Sequence, residues 1–172
     1  VANLRNQYGA DLVQGWGNYS GFCGIGWQNT SYAAPAYGFS LVDYDCTDSL
    51  TPAHEWGHNW GAGHDRANQD SAAYPYSFGL VSTAGDFRTV MAYDSTACPG
   101  YSCARIPYYS NPSLTYKGYA VGKADSEDNA RTLNNLAATI AGYRAPATPS
   151  TTTTTKATTT TKATTTTTFS VK

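Results

Sequence analysis

The residues most able to do chemistry stand together in the run His54-Glu55-Trp56-Gly57-His58-Asn59-Trp60-Gly61-Ala62-Gly63-His64-Asp65. This run holds all three histidines of the chain. Residues four apart on a helix lie one above the other, so His54 and His58 can present two imidazoles to one metal ion. Glu55 follows the first of them directly. Its carboxylate then turns toward the open side of such an ion, where it can take a proton from a held water. Gly61 tolerates the left-handed conformation that ends a helix, and the reversal brings back His64 as a third nitrogen. A straight helix would carry His64 too far along. Three protein ligands with one position left for water make a catalytic zinc site, whereas structural sites are closed by four. Imidazole also accepts copper, cobalt and nickel, but the full pattern points to zinc.

These side chains need a helix that begins just before His54. Thr51-Pro52 supplies the start, Thr as N-cap and Pro as the first helical residue. Upstream, residues 1–8 read as the end of a helix, with Leu4 and Tyr8 four apart and Gly9 as C-cap. Residues 11–19 and 21–28 read as strands, rich in β-branched and aromatic side chains and broken by glycine. Residues 36–44 form a third run with less alternation, as expected of a strand covered on both faces. From 61 to about 125 the chain is expected to be loop-rich. The last helix is expected over 126–143. There Leu133, Leu136, Ala137 and Ile140 share one face, and Glu127 and Asp128 suit its positive end.

Composition bounds the setting. Only 13% of the 172 residues are charged, about half the share of an ordinary soluble domain, so Tyr, Ser, Thr, Asn and Gly must make most of the surface. A net charge of −1 lacks the basic stripe that nucleic acid would require. No apolar run reaches the roughly 18 residues of a membrane-spanning helix. Residues 1–145 are expected to form one domain. From there the composition collapses to Thr, Ala, Pro and Lys, and 146–172 read as a disordered Thr-rich linker or stalk, glycosylated or bare. With three of the lysines in that tail, the body carries eight basic against twelve acidic residues. The chain begins at Val1 with no leader pattern, so a signal or pro-segment is expected to have been removed, or the chain to be a fragment.

Four cysteines permit three pairings, of which Cys23–Cys46 with Cys98–Cys103 is expected, free thiols being the alternative. No Cys-x-x-Cys exists to build a structural zinc site. Low charge, the Thr-rich tail and the sequons Asn18-Tyr19-Ser20 and Asn29-Thr30-Ser31 point to an oxidising compartment and a secreted, extracellular monomer.

The histidine run resembles H-E-x-x-H-x-x-G-x-x-H-D, the signature of the metzincin zinc endopeptidases. The chain's one methionine, Met91, lies in Phe87-Arg88-Thr89-Val90-Met91-Ala92-Tyr93, which resembles the methionine turn of those enzymes. The stretch through Cys98, Cys103 and Arg105-Ile106-Pro107-Tyr108-Tyr109-Ser110-Asn111-Pro112 is similar to the reprolysin-like branch. It is most similar to microbial secreted enzymes of the peptidyl-Asp metalloendopeptidase type. The resemblance covers residues 1–145 and implies an α/β (α+β) zincin domain. In that fold a mixed twisted sheet carries an active-site helix and a C-terminal helix, here without the first strands.

Residue by residue, the resemblance implies His54, His58 and His64 as zinc ligands. Glu55 becomes the general base and then the proton donor to the leaving amine. Met91 becomes the apolar base beneath the ligands. Tyr93 resembles the switch tyrosine that some metzincins use as an extra ligand or oxyanion donor, with packing as the alternative in a chain of 14 tyrosines. Asp65 is expected to anchor the helix-exit loop through backbone N–H groups, or to be a plain turn carboxylate. A protein or peptide substrate is expected to add as a strand along residues 21–28. Arg88 and Arg105 could shape a pocket for an acidic side chain, or be surface arginines. Asp43-Tyr44-Asp45-Cys46-Thr47-Asp48 starts like a calcium loop. It has Asp at position six and His at position twelve, which excludes an EF-hand and leaves a looser Ca2+ site as a weaker expectation.

The function expected is a secreted zinc endopeptidase that uses metal-held water and Glu55 as base. The alternative is an inactive zinc-binding module displayed on the stalk for adhesion, which has no need of a base beside the metal.

Overall fold

The computed structural model describes residues 1–30 and 35–146. Of the tail expected over 146–172, residues 147–172 lie outside the described residues. Helix α1 (Ala2–Tyr8) stops where expected, at Gly9 with φ 61°. Arg5 on this helix is buried, which nothing in the local pattern foretells. Its guanidinium donates to the Ala10, Pro35 and Asp11 carbonyls and lies 4.9 Å over the Phe39 ring, tying α1 to the sheet.

Three short strands form that sheet: β1 (Val13–Gly17), β2 (Gly24–Gly26) and β3 (Phe39–Asp43), in the order β1-β3-β2. β1 runs parallel to β3, and β2 antiparallel to it. The Cys23–Cys46 disulfide fastens the start of β2 to the 3-10 turn Tyr44–Ser49 after β3, the pairing expected. Ser40 and Val42 of β3 are buried on the side where α2 (Thr51–Asn59) packs. The expectation that β3 is covered on both faces is corrected. Among the described residues its other face is open, with Leu41 37%, Ile25 57% and Trp27 60% exposed.

α2 also begins differently from the expectation. Leu50, at φ 64°, takes the cap position, Thr51 is the first helical residue, and its hydroxyl meets that of Ser49 at 2.7 Å. Pro52 falls in the first turn, where its missing N–H costs nothing.

The stretch expected to be loop-rich is stitched by very short ladders. β4 (Gly63–Asp65) pairs parallel with β5 (Phe78–Gly79). β6 (Val81–Ser82) pairs with β7 (Phe87–Arg88), and β7 with β8 (Ala104–Arg105). β9 (Thr115–Tyr116) and β10 (Tyr119–Ala120) close a hairpin. The second disulfide, Cys98–Cys103, is also the one expected.

The last helix, α3 (Asn129–Ile140), starts three residues later than expected. Asp128 caps it by accepting from the Arg131 amide at 3.0 Å, while Glu127 pairs with Arg66 and Lys123. Its buried stripe is Asn129, Thr132, Leu136 and Ile140, with Leu133 half-buried. Ala137 is exposed, a correction to the expected face; the stripe is rotated toward Thr132, whose hydroxyl meets that of Ser77 at 2.6 Å. Three apolar clusters make the core: Leu80, Phe87, Ile106 and Val121; Ala62, Val90 and Met91; Ala73, Leu136 and Ile140. The middle one lies directly under the histidine run. Of the two sequons, Asn18 is exposed, but Asn29 is buried with its amide donating to the Tyr143 hydroxyl.

Candidate active site

Helix α2 presents His54 and His58 one turn apart, then stops in a Schellman motif. The Gly61 amide donates to the His58 carbonyl and the Ala62 amide to the Gly57 carbonyl, both at 2.9 Å. Gly61 takes φ 81°, the left-handed conformation that the reversal requires. Strand β4 then returns His64 to the same side.

The outcome is three converging rings. His64 Nε2 lies 3.0 Å from His58 Nε2 and 3.2 Å from His54 Nε2. Four-coordinate zinc with Zn–N bonds of about 2.0–2.1 Å places its ligand nitrogens about 3.3 Å apart, close to both of these spacings, and the three ligand atoms together lie within 4.8 Å of one another. The other ring nitrogens fix the tautomers. His54 Nδ1 faces the Val90 carbonyl at 2.9 Å and His58 Nδ1 the Ala62 carbonyl at 3.1 Å. A carbonyl only accepts, so each Nδ1 carries the proton and each Nε2 aims a lone pair at the common point. One proton on His64 could satisfy only one of those lone pairs, whereas a cation satisfies all three. Among the described residues this is the one group of three side chains able to hold a metal.

Burial shapes the electrostatics. Desolvation, with His58 adding to it, pushes the His54 imidazole down to about 2, and desolvation with His64 takes His58 down to about 4. Burial also lowers His64. All three are therefore neutral at pH 7, as metal ligands must be. Glu55 moves the other way: burial raises its carboxyl to about 7, opposed by the positive charge of Arg105. No protein donor reaches the Glu55 carboxylate among the described residues. It occupies space left by two glycines of β2. A Cβ on Gly24 would stand 2.5 Å from Glu55 Oε1, and one on Gly26 would stand 2.7 Å from the Glu55 carbonyl. Gly-Ile-Gly inside a strand run is a recognised sign of close approach by another group, and it was the signal for these two positions.

Met91 lies fully buried beneath α2. A side chain at Gly57 would collide with its Sδ and come within 3.1 Å of Tyr109 Cε1. Tyr109, not singled out from the sequence, also anchors α2 by donating to the Ala53 carbonyl at 2.6 Å. Asp65 holds two loops at once. It accepts from the Ala67 amide at 3.2 Å and the Asn68 side chain at 2.9 Å, and from the Tyr93 amide at 2.9 Å. Tyr93 packs its ring 4.0 Å from that of His64, is 42% exposed, and has a phenol raised by burial.

A cleft of about 400 Å³ opens beside the histidines, lined by Gly24, His54, Glu55, Tyr93, Arg88 and Arg105 among others. The two arginines differ. Arg88 donates to the Cys103 and Ala92 carbonyls, each at 3.0 Å, and lies 3.7 Å from Asp94. Among the described residues Arg105 makes one hydrogen bond, from NH1 to the Ser49 carbonyl at 2.9 Å.

Comparison with known proteins agrees with the geometry. The family model Reprolysin_5, described as Metallo-peptidase family M12, matches residues 2–110. A peptidyl-Asp metalloendopeptidase of Stenotrophomonas maltophilia is 40% identical over 150 residues, which cover 84% of this chain and 34% of that protein. Its namesake in Xanthomonas campestris is 41% identical over 146 residues (84% and 33%), and that of Pseudomonas aeruginosa 32% over 179 (88% and 29%). The chain thus spans about a third of the length of these curated relatives. Among solved structures, one described as "Structure of a chaperone-substrate complex" superposes with a TM-score of 0.57 at 23% identity, covering 84% of this chain and 22% of that one, which speaks to the fold alone. With more than half its length matched and its histidines converging as the metzincin pattern implies, the chain belongs to metallopeptidase family M12.

Proposed function

We propose that the chain carries the catalytic domain of a secreted zinc-dependent endopeptidase. The observation that carries this is the meeting of three Nε2 lone pairs beside a carboxylate that no donor among the described residues satisfies. Zinc, when bound, acidifies a coordinated water and polarises the scissile carbonyl. We assign His54, His58 and His64 as its ligands and Glu55 as the general base. Glu55 takes a proton from the attacking water and delivers it to the leaving amine, and its raised proton affinity suits both steps. Tyr93, half-exposed over His64, would donate its hydroxyl to the developing oxyanion.

The substrate is an extended peptide lying along β2. Asp43 donates its amide to the Cys23 carbonyl, and Trp27 to the Phe39 carbonyl, so Cys23 and Trp27 turn their backbone groups toward β3. By the alternation of an antiparallel pair, Gly24 and Gly26 turn theirs outward to the free edge. The relatives' name supports an acidic residue flanking the cleaved bond, and two disulfides support secretion. Calcium is left out of the proposal. Asp43 engages its carboxylate with the Tyr19 and Asp45 amides.

The test is mass spectrometry of an Asp-containing peptide incubated with the zinc-loaded chain. Internal cleavage, abolished by a chelator and restored by zinc, is expected. An uncut peptide with zinc bound would favour the inactive binding module instead.

A further inference from the structure

We propose that Arg105, and not Arg88, is the specificity-determining residue of this site, its guanidinium receiving the acidic side chain of the substrate residue that flanks the scissile bond. The inference rests on the endopeptidase reading and deepens it.

The two arginines are register partners on β7 and β8, and both line the cleft beside His54 and Glu55. Their surroundings separate them. Arg88 has two carbonyls and a nearby carboxylate for its guanidinium, and its position is a structural one. Arg105 is half-buried and donates to the Ser49 carbonyl from NH1 alone. Its Nε is buried without a partner, and no carboxylate among the described residues comes within ion-pair distance. A half-buried cation left uncompensated is costly unless an anion arrives from elsewhere. The guanidinium fork matches a carboxylate in two parallel hydrogen bonds, a geometry that an amide meets only in part.

Glu55, the acid that lines the cleft, acts on this charge only through space, as do Tyr93 and Asp94. Its carboxylate is held between Gly24 and Gly26, and among the described residues it makes no ion pair with Arg105. The cleft thus brings together a base, His54 of the histidine cluster and a guanidinium with no ion-pair partner among the described residues. A peptide laid along the edge of β2 passes Gly24, which lines the same cleft as Arg105.

The experiment compares two peptides that differ only in Asp or Asn at the residue flanking the cleaved bond, using the zinc-loaded full chain. Charge-assisted pairing predicts a kcat/KM preference for Asp of about 10- to 100-fold in the wild type. Arg105→Gln is expected to reduce that ratio to below about threefold, the loss falling mainly on the Asp peptide. Arg105→Lys, which keeps the charge without the fork, is expected to retain part of the ratio, and Arg88→Gln to retain it. Binding of the same two peptides to zinc-loaded Glu55→Gln, followed by fluorescence anisotropy, should show the same preference and the same loss on adding Arg105→Gln. An unchanged ratio in Arg105→Gln would overturn the assignment. So would an equal loss on both peptides, which would mark Arg105 as a support for the scaffold or for Glu55. A wild type that cleaves both peptides equally would overturn it while leaving the endopeptidase standing. If neither peptide is cut, the endopeptidase reading fails, and the binding ratio alone decides the role of Arg105.

Discussion

Gly24→Ala is the sharpest perturbation of the base. The added Cβ would stand 2.5 Å from Glu55 Oε1, 2.6 Å from its Cγ and 2.6 Å from Thr51 Cγ2. Comfortable carbon contacts need about 3.5–4.0 Å, so the Glu55 side chain must move by roughly 1 Å. A shift of that size in a catalytic group costs on the order of 100-fold in rate, or about 2.7 kcal/mol of barrier. Because the obstructed atoms are mainly the end of a flexible side chain, the fold should lose only about 1–3 kcal/mol. The histidines are untouched, so zinc should remain. Gly26→Ala is the contrasting control, since its Cβ would stand 2.7 Å from the Glu55 backbone carbonyl and must displace α2 itself. The assay pairs kcat/KM on one peptide with zinc content and a denaturation curve for each variant. A Gly24→Ala protein with wild-type kcat/KM and full zinc would refute the idea that β2 positions the base.

Two further outcomes follow from the same geometry. Asp65→Ala removes the acceptor shared by the Tyr93 amide and the 67–68 loop; it should cost about 1–3 kcal/mol, seen as a fall in Tm of several degrees, and an unchanged Tm would contradict the anchoring role. Acid should destabilise the metal-free chain: unfolded histidine binds its proton near 6.5, but folded His54 and His58 only near 2 and 4. Glu55 opposes this, since it is protonated below about 7 in the fold and only below 4.5 when unfolded. His54 and His58 against one carboxyl, with His64 shifted in the same direction as they are, leave the unfolded state at least about one proton richer between pH 6.5 and 4.5, so stability should fall by at least roughly 1 kcal/mol per pH unit as pH drops. A urea midpoint that rises over that interval would contradict it.

The site was more legible than the sheet. His54, His58, Gly61 and His64 are fixed by helix periodicity and one glycine, and such local rules survive any tertiary context. Met91 was likewise within reach through its neighbours, and both disulfides join the cysteines expected to pair. What escaped depends on partners distant in the chain. Gly24 and Gly26 matter because a helix thirty residues on lays Glu55 across them. Arg88 and Arg105 look alike in sequence, and only the carbonyls around each tell them apart. The buried Arg5, the exposed Ala137 and the open face at Leu41 have the same origin: packing, and not periodicity, decides them.

The most direct measurement is zinc content and peptide turnover on one sample of Glu55→Gln. This change keeps the three imidazoles and the shape of the side chain but removes the base. One zinc per chain is expected, as in the wild type, with turnover lower by about 100- to 10,000-fold. A variant that keeps its zinc and still cuts the peptide at the wild-type rate would contradict this expectation.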